Sequence, residues 1–125
     1  MSHFTTIKTQ IRDIDALRQA VGEMGYALVP NAEARGFVNN TTKGDYVIQL
    51  KGPYDIALNR QPDGSFGLTA DWWNGHVEKE VGKNYGKLLQ LYGVHKAMRE
   101  AQQRGYSVQR SVLKDGSIKL AIGGV

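Results

Sequence analysis

At 125 residues the chain has the length of one domain and is long enough to bury a core without disulfides or metal. It contains no cysteine, which excludes a disulfide framework, thiolate zinc sites, iron–sulfur ligation by this chain and a cysteine nucleophile. The net charge of +4 draws it towards acidic partners, whether nucleic acid, an acidic protein or anionic lipid.

Residues 3–11 are rich in Thr and Ile and read as a first strand, with Ile7 and Ile11 on one face. Asp13 is placed to cap the next element, where Ile14, Leu17, Val21 and Met24 give an amphipathic helix ending at Gly25. Residues 26–29 form a short strand closed by Pro30, which has no N–H to give to a ladder. The signals then weaken: residues 35–38 are compatible with a strand, and Asn39-Asn40-Thr41-Thr42-Lys43-Gly44 reads as a turn. In residues 45–51, Tyr46, Ile48 and Leu50 alternate against Val47, Gln49 and Lys51, so one face is buried. Gly52-Pro53 turns the chain, and Tyr54, Ile56 and Leu58 alternate again. A β-turn at Gln61-Pro62-Asp63-Gly64 follows, and Phe66, Leu68 and Ala70 resume the period of two. The pattern is an antiparallel meander.

Trp72 and Trp73 leave this last strand directly. Neighbouring residues of a strand point to opposite faces, so one ring fills the core and the other is left to stack on a base or to anchor a protein contact. From Lys83 onward, Tyr85, Leu88, Leu89 and Tyr92 recur at helical spacing on one face, which continues into His95, Lys96 and Arg99. Leu91, Val94, Met98 and Ala101 fall on nearly the opposite side. Either the helix bends near Gly93, or it is buried on one face early and on another late, between layers or against a partner. Gly105 stops it after Arg104, and residues 106–113 and 117–122 form a final hairpin around Lys114-Asp115-Gly116. The order strand, helix, strands, long helix, hairpin predicts one α+β domain over residues 1–125, with two helices packed on one face of an antiparallel sheet.

The charge is unevenly placed. Residues 77–110 hold Lys79, Lys83, Lys87, Lys96, Arg99, Arg104 and Arg110 against three glutamates, and the rest of the chain is neutral on balance. The sequence GKNYGKL has too few residues between its glycines, and no Ser or Thr after the second Lys, for a nucleotide triphosphate loop. Lys83 and Lys87 at a helix start still suit an anion. His76, Glu78 and Glu80 do not make the three or four convergent ligands that a metal needs, so no metal or other cofactor is expected. His95 is the side chain placed to titrate near neutral pH, yet no nucleophile or orienting carboxylate is identifiable beside it. The N-terminus has no apolar run of signal-peptide length and no stretch is of membrane-spanning length, so no membrane insertion is expected.

These residues support three readings. The first is a non-enzymatic protein-interaction module whose basic helix meets an acidic protein through Tyr92, His95, Lys96 and Arg99, with Trp72, Trp73, Lys83 and Lys87 as further contact residues. The second is a nucleic-acid-binding protein. The third is a small-ligand protein or enzyme with His95 in a pocket between helix and sheet.

The opening MSHFTTIKTQI, the turn into GYALV, the segments DYVIQLKGPYDIALN and LYGVHKAMREAQQRGYSV, and the close DGSIKL together carry a resemblance. They resemble the uncharacterised family known as hypothetical chloroplast reading frame thirty-five, a domain of unknown function, over nearly the whole chain. The long-helix pattern matches at Tyr92, His95 and Gly105-Tyr106, while Asp71-Trp72-Trp73-Asn74-Gly75 is more compressed than the family pattern. The resemblance implies a plastid stromal or cyanobacterial cytoplasmic location and no established activity.

Overall fold

A computed structural model describes residues 3–124 of the chain. Asp13 starts the first helix as the sequence predicts. Its carboxylate accepts the backbone N–H groups of Asp15 and Ala16 at 3.0 and 3.1 Å, satisfying donors that a helix leaves open in its first turn. This helix, α1 (Ile14–Glu23), buries Ala16, Leu17, Ala20 and Val21, and the chain leaves it through Gly25 at φ +85°. The strand before it, β1 (Phe4–Lys8), is shorter than residues 3–11. The Thr9 hydroxyl donates to the Phe66 carbonyl and accepts from the Ile11 N–H, which turns the chain away from the ladder.

The next strand does not stop at Pro30. β2 (Ala27–Arg35) is an edge of the five-stranded sheet, the place where a residue without an N–H is tolerated, and Pro30 sits in register opposite Tyr46. The reversal falls on residues 36–40, with the Gly36 N–H donating to the Asn40 carbonyl at 2.8 Å. Residues 41–44, which read as a turn by composition, instead open β3 (Thr41–Gln49) because they pair with β2 as Glu33↔Lys43 and Arg35↔Thr41. The meander continues through β4 (Ile56–Arg60), the turn closed by Gly64 N–H to Gln61 carbonyl at 2.9 Å, and β5 (Phe66–Asp71). β1 adds antiparallel to β5, giving the order β1-β5-β4-β3-β2.

The alternation read from the sequence decides the core. Ile48, Leu50, Ile56, Leu58, Phe66 and Leu68 bury against Leu17 and Val21 of α1 and Leu88 of the long helix. The opposite face holds a smaller cluster of Ala34, Val47 and Ala57. The two longer helices thus pack on one face of an antiparallel sheet.

A short helix, α2 (Glu78–Val81), and a 3-10 turn at Lys83–Tyr85 precede the long helix α3 (Gly86–Gln103), which starts three residues later than the apolar spacing suggests. α3 is unbroken through Gly93. Leu88, Leu91 and Tyr92 join the core, Val94 and Ala101 are buried as well, and a final hairpin of β6 (Ser107–Val112) and β7 (Ile118–Gly123) packs along the helix. Its two apolar faces are therefore both used, and no bend at Gly93 is needed. Among the described residues no helix is long and apolar enough to cross a membrane.

Candidate functional site

Tyr92, His95, Lys96 and Arg99 share one face of α3, and that face looks at α1. The Tyr92 hydroxyl accepts the backbone N–H groups of Arg12 and Asp13 at 3.1 and 3.2 Å, fixing the chain where α1 begins. Lys96 Nζ lies 3.7 Å from Asp13 and 3.0 Å from Glu100. Arg99 reaches Asp13 at 3.4 Å and Asp15 at 3.7 Å. His95 Nε2 lies 2.8 Å from Glu23 Oε1, and the same carboxylate receives a two-pronged contact from Arg110 of β6 at 2.8 and 2.7 Å. The later half of the basic helix is thus matched by the acids of α1.

The electrostatics follow this pairing. Hydrogen bonds from Arg110, aided by His95, outweigh burial and hold the Glu23 carboxyl down at about 2. Burial pushes the Asp13 carboxyl up, but the Ala16 N–H together with Arg99 and Lys96 brings it below its ordinary value. His95 does not line the groove between α3 and the sheet. That groove, about 470 Å³, is walled by Ile7, Ile11, Leu89, Tyr92 and Gly93, whereas the imidazole is held against α1. The ring thus bridges α3, α1 and, through Glu23, the hairpin strand β6.

Lys83 and Lys87 stand elsewhere, at the start of α3. The chain enters that helix through Gly82, Asn84 and Tyr85, all at positive φ, and no side chain caps it. Lys87 lines a cleft of about 550 Å³ with Lys51, Lys79, Tyr26 and Glu80. Glu80 is the one carboxylate there, and it is already engaged: its oxygens accept the backbone N–H groups of Lys51 and Gly52 at 2.8 and 3.0 Å. Burial, reinforced by that carboxylate, pushes the Tyr26 hydroxyl up to about 12. The Lys51 ammonium sits 5.9 Å from the centre of the Tyr26 ring. Lys79, Lys83 and Lys87 form no ion pair among the described residues. Three ammonium groups against one carboxylate leave the cleft positive on balance.

The tryptophans divide as expected, though Trp72 lies past the end of β5 and Trp73 opens a 3-10 turn. Trp72 packs edge-on to Tyr85 at 4.8 Å against the core, while Trp73 is 44% exposed and edge-on to Phe37 at 5.4 Å. The Asp71 carboxylate is buried and accepts the N–H groups of Phe37 and Trp73. Among the described residues no group of three or more His, Cys, Asp or Glu is placed to hold a metal ion. The sequence reading missed Lys51 and Tyr26, which reach the cleft because Glu80 clasps a loop far away in sequence. It also missed Asp13, Asp15 and Glu23 as partners of α3. An acidic helix beside a basic one in the same small domain was the available signal.

The family model described as protein of unknown function (DUF1257) matches residues 20–121. The chain is 32% identical to the "Uncharacterized protein ycf35" of Pyropia yezoensis, over 98% of this chain and 96% of that protein. It is 29% identical to the protein of the same name from Guillardia theta, over the same shares of each chain. No solved structure matches the chain.

Proposed function

This chain belongs to the family described as protein of unknown function (DUF1257), and we propose that it is a non-enzymatic protein-interaction module that offers the start of its long helix to an acidic protein. The observation that carries this reading is the cleft in which Lys51, Lys79 and Lys87 converge while Glu80 is taken up by backbone amides. Lys83, four residues before Lys87, adds a further cation near the start of the helix. An acidic segment docking there meets Lys79 and Lys87, which form no ion pair among the described residues, and this favours fast, salt-sensitive association. The location that suits such a partner is the plastid stroma or the cyanobacterial cytoplasm.

Nucleic acid is the second reading. Single-stranded binding combines cations with open aromatic faces for stacking, but Tyr26, the ring of this cleft, lies beneath the Lys51 ammonium, and Trp73 packs on Phe37. Capture from host extract, with and without nuclease, by the wild-type chain and by a Lys79→Glu, Lys87→Glu variant tests both. The proposal expects an acidic protein that stays bound after nuclease and is lost from the variant. Loss on nuclease treatment, or equal capture by the variant, overturns it.

A further inference from the structure

Seven large apolar side chains are exposed among the described residues, and four of them belong to the hairpin or its approach: Tyr106, Val112, Leu113 and Ile122. Val112 is 67% exposed and Ile122 52%. Directly opposed residues of an antiparallel pair share a face. The pairs Val108↔Ile122, Arg110↔Leu120 and Val112↔Ile118 therefore form one face that is apolar except for Arg110. The rest of the domain covers its middle, where Arg110 is drawn to Glu23, and one residue of the end pair, Ile118, which packs on the core. Its two ends, at Val112 and Ile122, stay open.

The backbone is open too. Among the described residues β6 and β7 pair only with each other, so each strand shows an unpaired edge, and a two-stranded sheet is marginal without further strands or packing. Basic residues outnumber acids around this surface. Arg104, Lys114 and Lys119 form no ion pair among the described residues. The neighbouring acids are engaged: Asp115 by the Ser117 hydroxyl and N–H, and Glu100 by Lys96.

We propose that the β6–β7 hairpin is a second docking surface that accepts, by strand addition, a protein segment with apolar and acidic residues in alternation. The open edge supplies main-chain hydrogen bonds, Val112 and Ile122 take the apolar side chains, and Lys114, Lys119 and Arg104 take the acids. A second copy of this chain is the poorer occupant, because pairing like edges brings the same cations together. The surface uses none of the lysines of the cleft, so its failure and that of the cleft reading are separable.

The test is a titration of the isotope-labelled full chain, followed by backbone amide shifts, with a short capped peptide alternating valine and glutamate and with its valine–lysine counterpart. The glutamate peptide is expected to shift and protect amides of β6 and β7, and the lysine peptide to bind at least about tenfold more weakly. Val112→Ser with Ile122→Ser weakens the glutamate peptide at least about tenfold, at two exposed positions where serine leaves the core intact. Lys119→Glu keeps the apolar surface and reverses the preference between peptides. Lys79→Glu with Lys87→Glu leaves the titration unchanged. The proposal is overturned by unmoved hairpin amides at millimolar peptide, by equal binding of the two peptides, or by a dimer in sedimentation that the serine variant dissolves.

Discussion

The Asp13 carboxylate does two separable things: one oxygen caps α1 and the other meets Lys96 and Arg99. Asn keeps a capping oxygen but not the charge, whereas Ala keeps neither. Asp13→Ala is expected to be less stable than Asp13→Asn by about 1 kcal/mol, read from urea midpoints at equal slope. Equal midpoints would show that the cap contributes nothing. Glu23 gives a pH dependence with a definite sign. Its folded pKa of about 2 lies below the ordinary 4.5, so its contribution is whole above 4.5 and is lost as pH falls towards about 2. The stability difference between wild type and Glu23→Gln should shrink over that window, and a constant difference would contradict the assignment. Tyr85 presents the reverse situation. Burial pushes its hydroxyl well above the ordinary range, and the adjacent Trp72 indole does not reach hydrogen-bond geometry. Removing an unsatisfied buried hydroxyl while keeping the ring should not destabilise, so Tyr85→Phe is expected to melt at or above wild type.

At the level of elements, two glycines on either side of the start of α3 make opposite predictions. A side chain on Gly82 would place its Cβ 2.9 Å from the Lys87 backbone nitrogen at a φ of +85°. Gly82→Ala should therefore cost roughly 1–3 kcal/mol. Gly93 lies inside the helix, and a Cβ added there would meet nothing within 4 Å, so Gly93→Ala should stabilise by up to about 1 kcal/mol. Thermal unfolding of the two variants reads both signs at once. Elements governed by local chemistry were legible: the Asp13 cap, the Gly25 and Gly105 helix exits, and the alternating faces of β3, β4 and β5. Elements decided by pairing were not. Pro30 reads as a strand end until β2 is known to be an edge, and Thr41 to Gly44 read as a turn until they are seen opposite β2. The helix starts at Gly86 rather than Lys83 because two left-handed residues, Asn84 and Tyr85, intervene, and of these only Asn84 is of a residue type that suits the conformation.

Over the whole molecule the basic segment divides into a part paired within the fold and a part that is not. The sequence shows its excess of Lys and Arg, but not which of them the rest of the fold neutralises. α1 and Glu100 meet His95, Lys96 and Arg99, Glu23 meets Arg110, and the lysines around the start of α3 remain open. That division is a long-range consequence of α1 packing on α3, so no spacing within the helix could reveal it. The measurement that tests it most directly crosses two charge reversals with two readouts. Lys79→Glu with Lys87→Glu, and separately Lys96→Glu with Arg99→Glu, are compared for melting temperature and for the rate of association with the captured acidic partner across ionic strength. The first variant should melt with wild type and associate more slowly, with a flatter salt dependence. The second sets new carboxylates against Asp13 and Asp15 and should melt lower. A cleft variant that associates like wild type, or a Lys96, Arg99 variant that melts like wild type while losing its partner, would contradict the account.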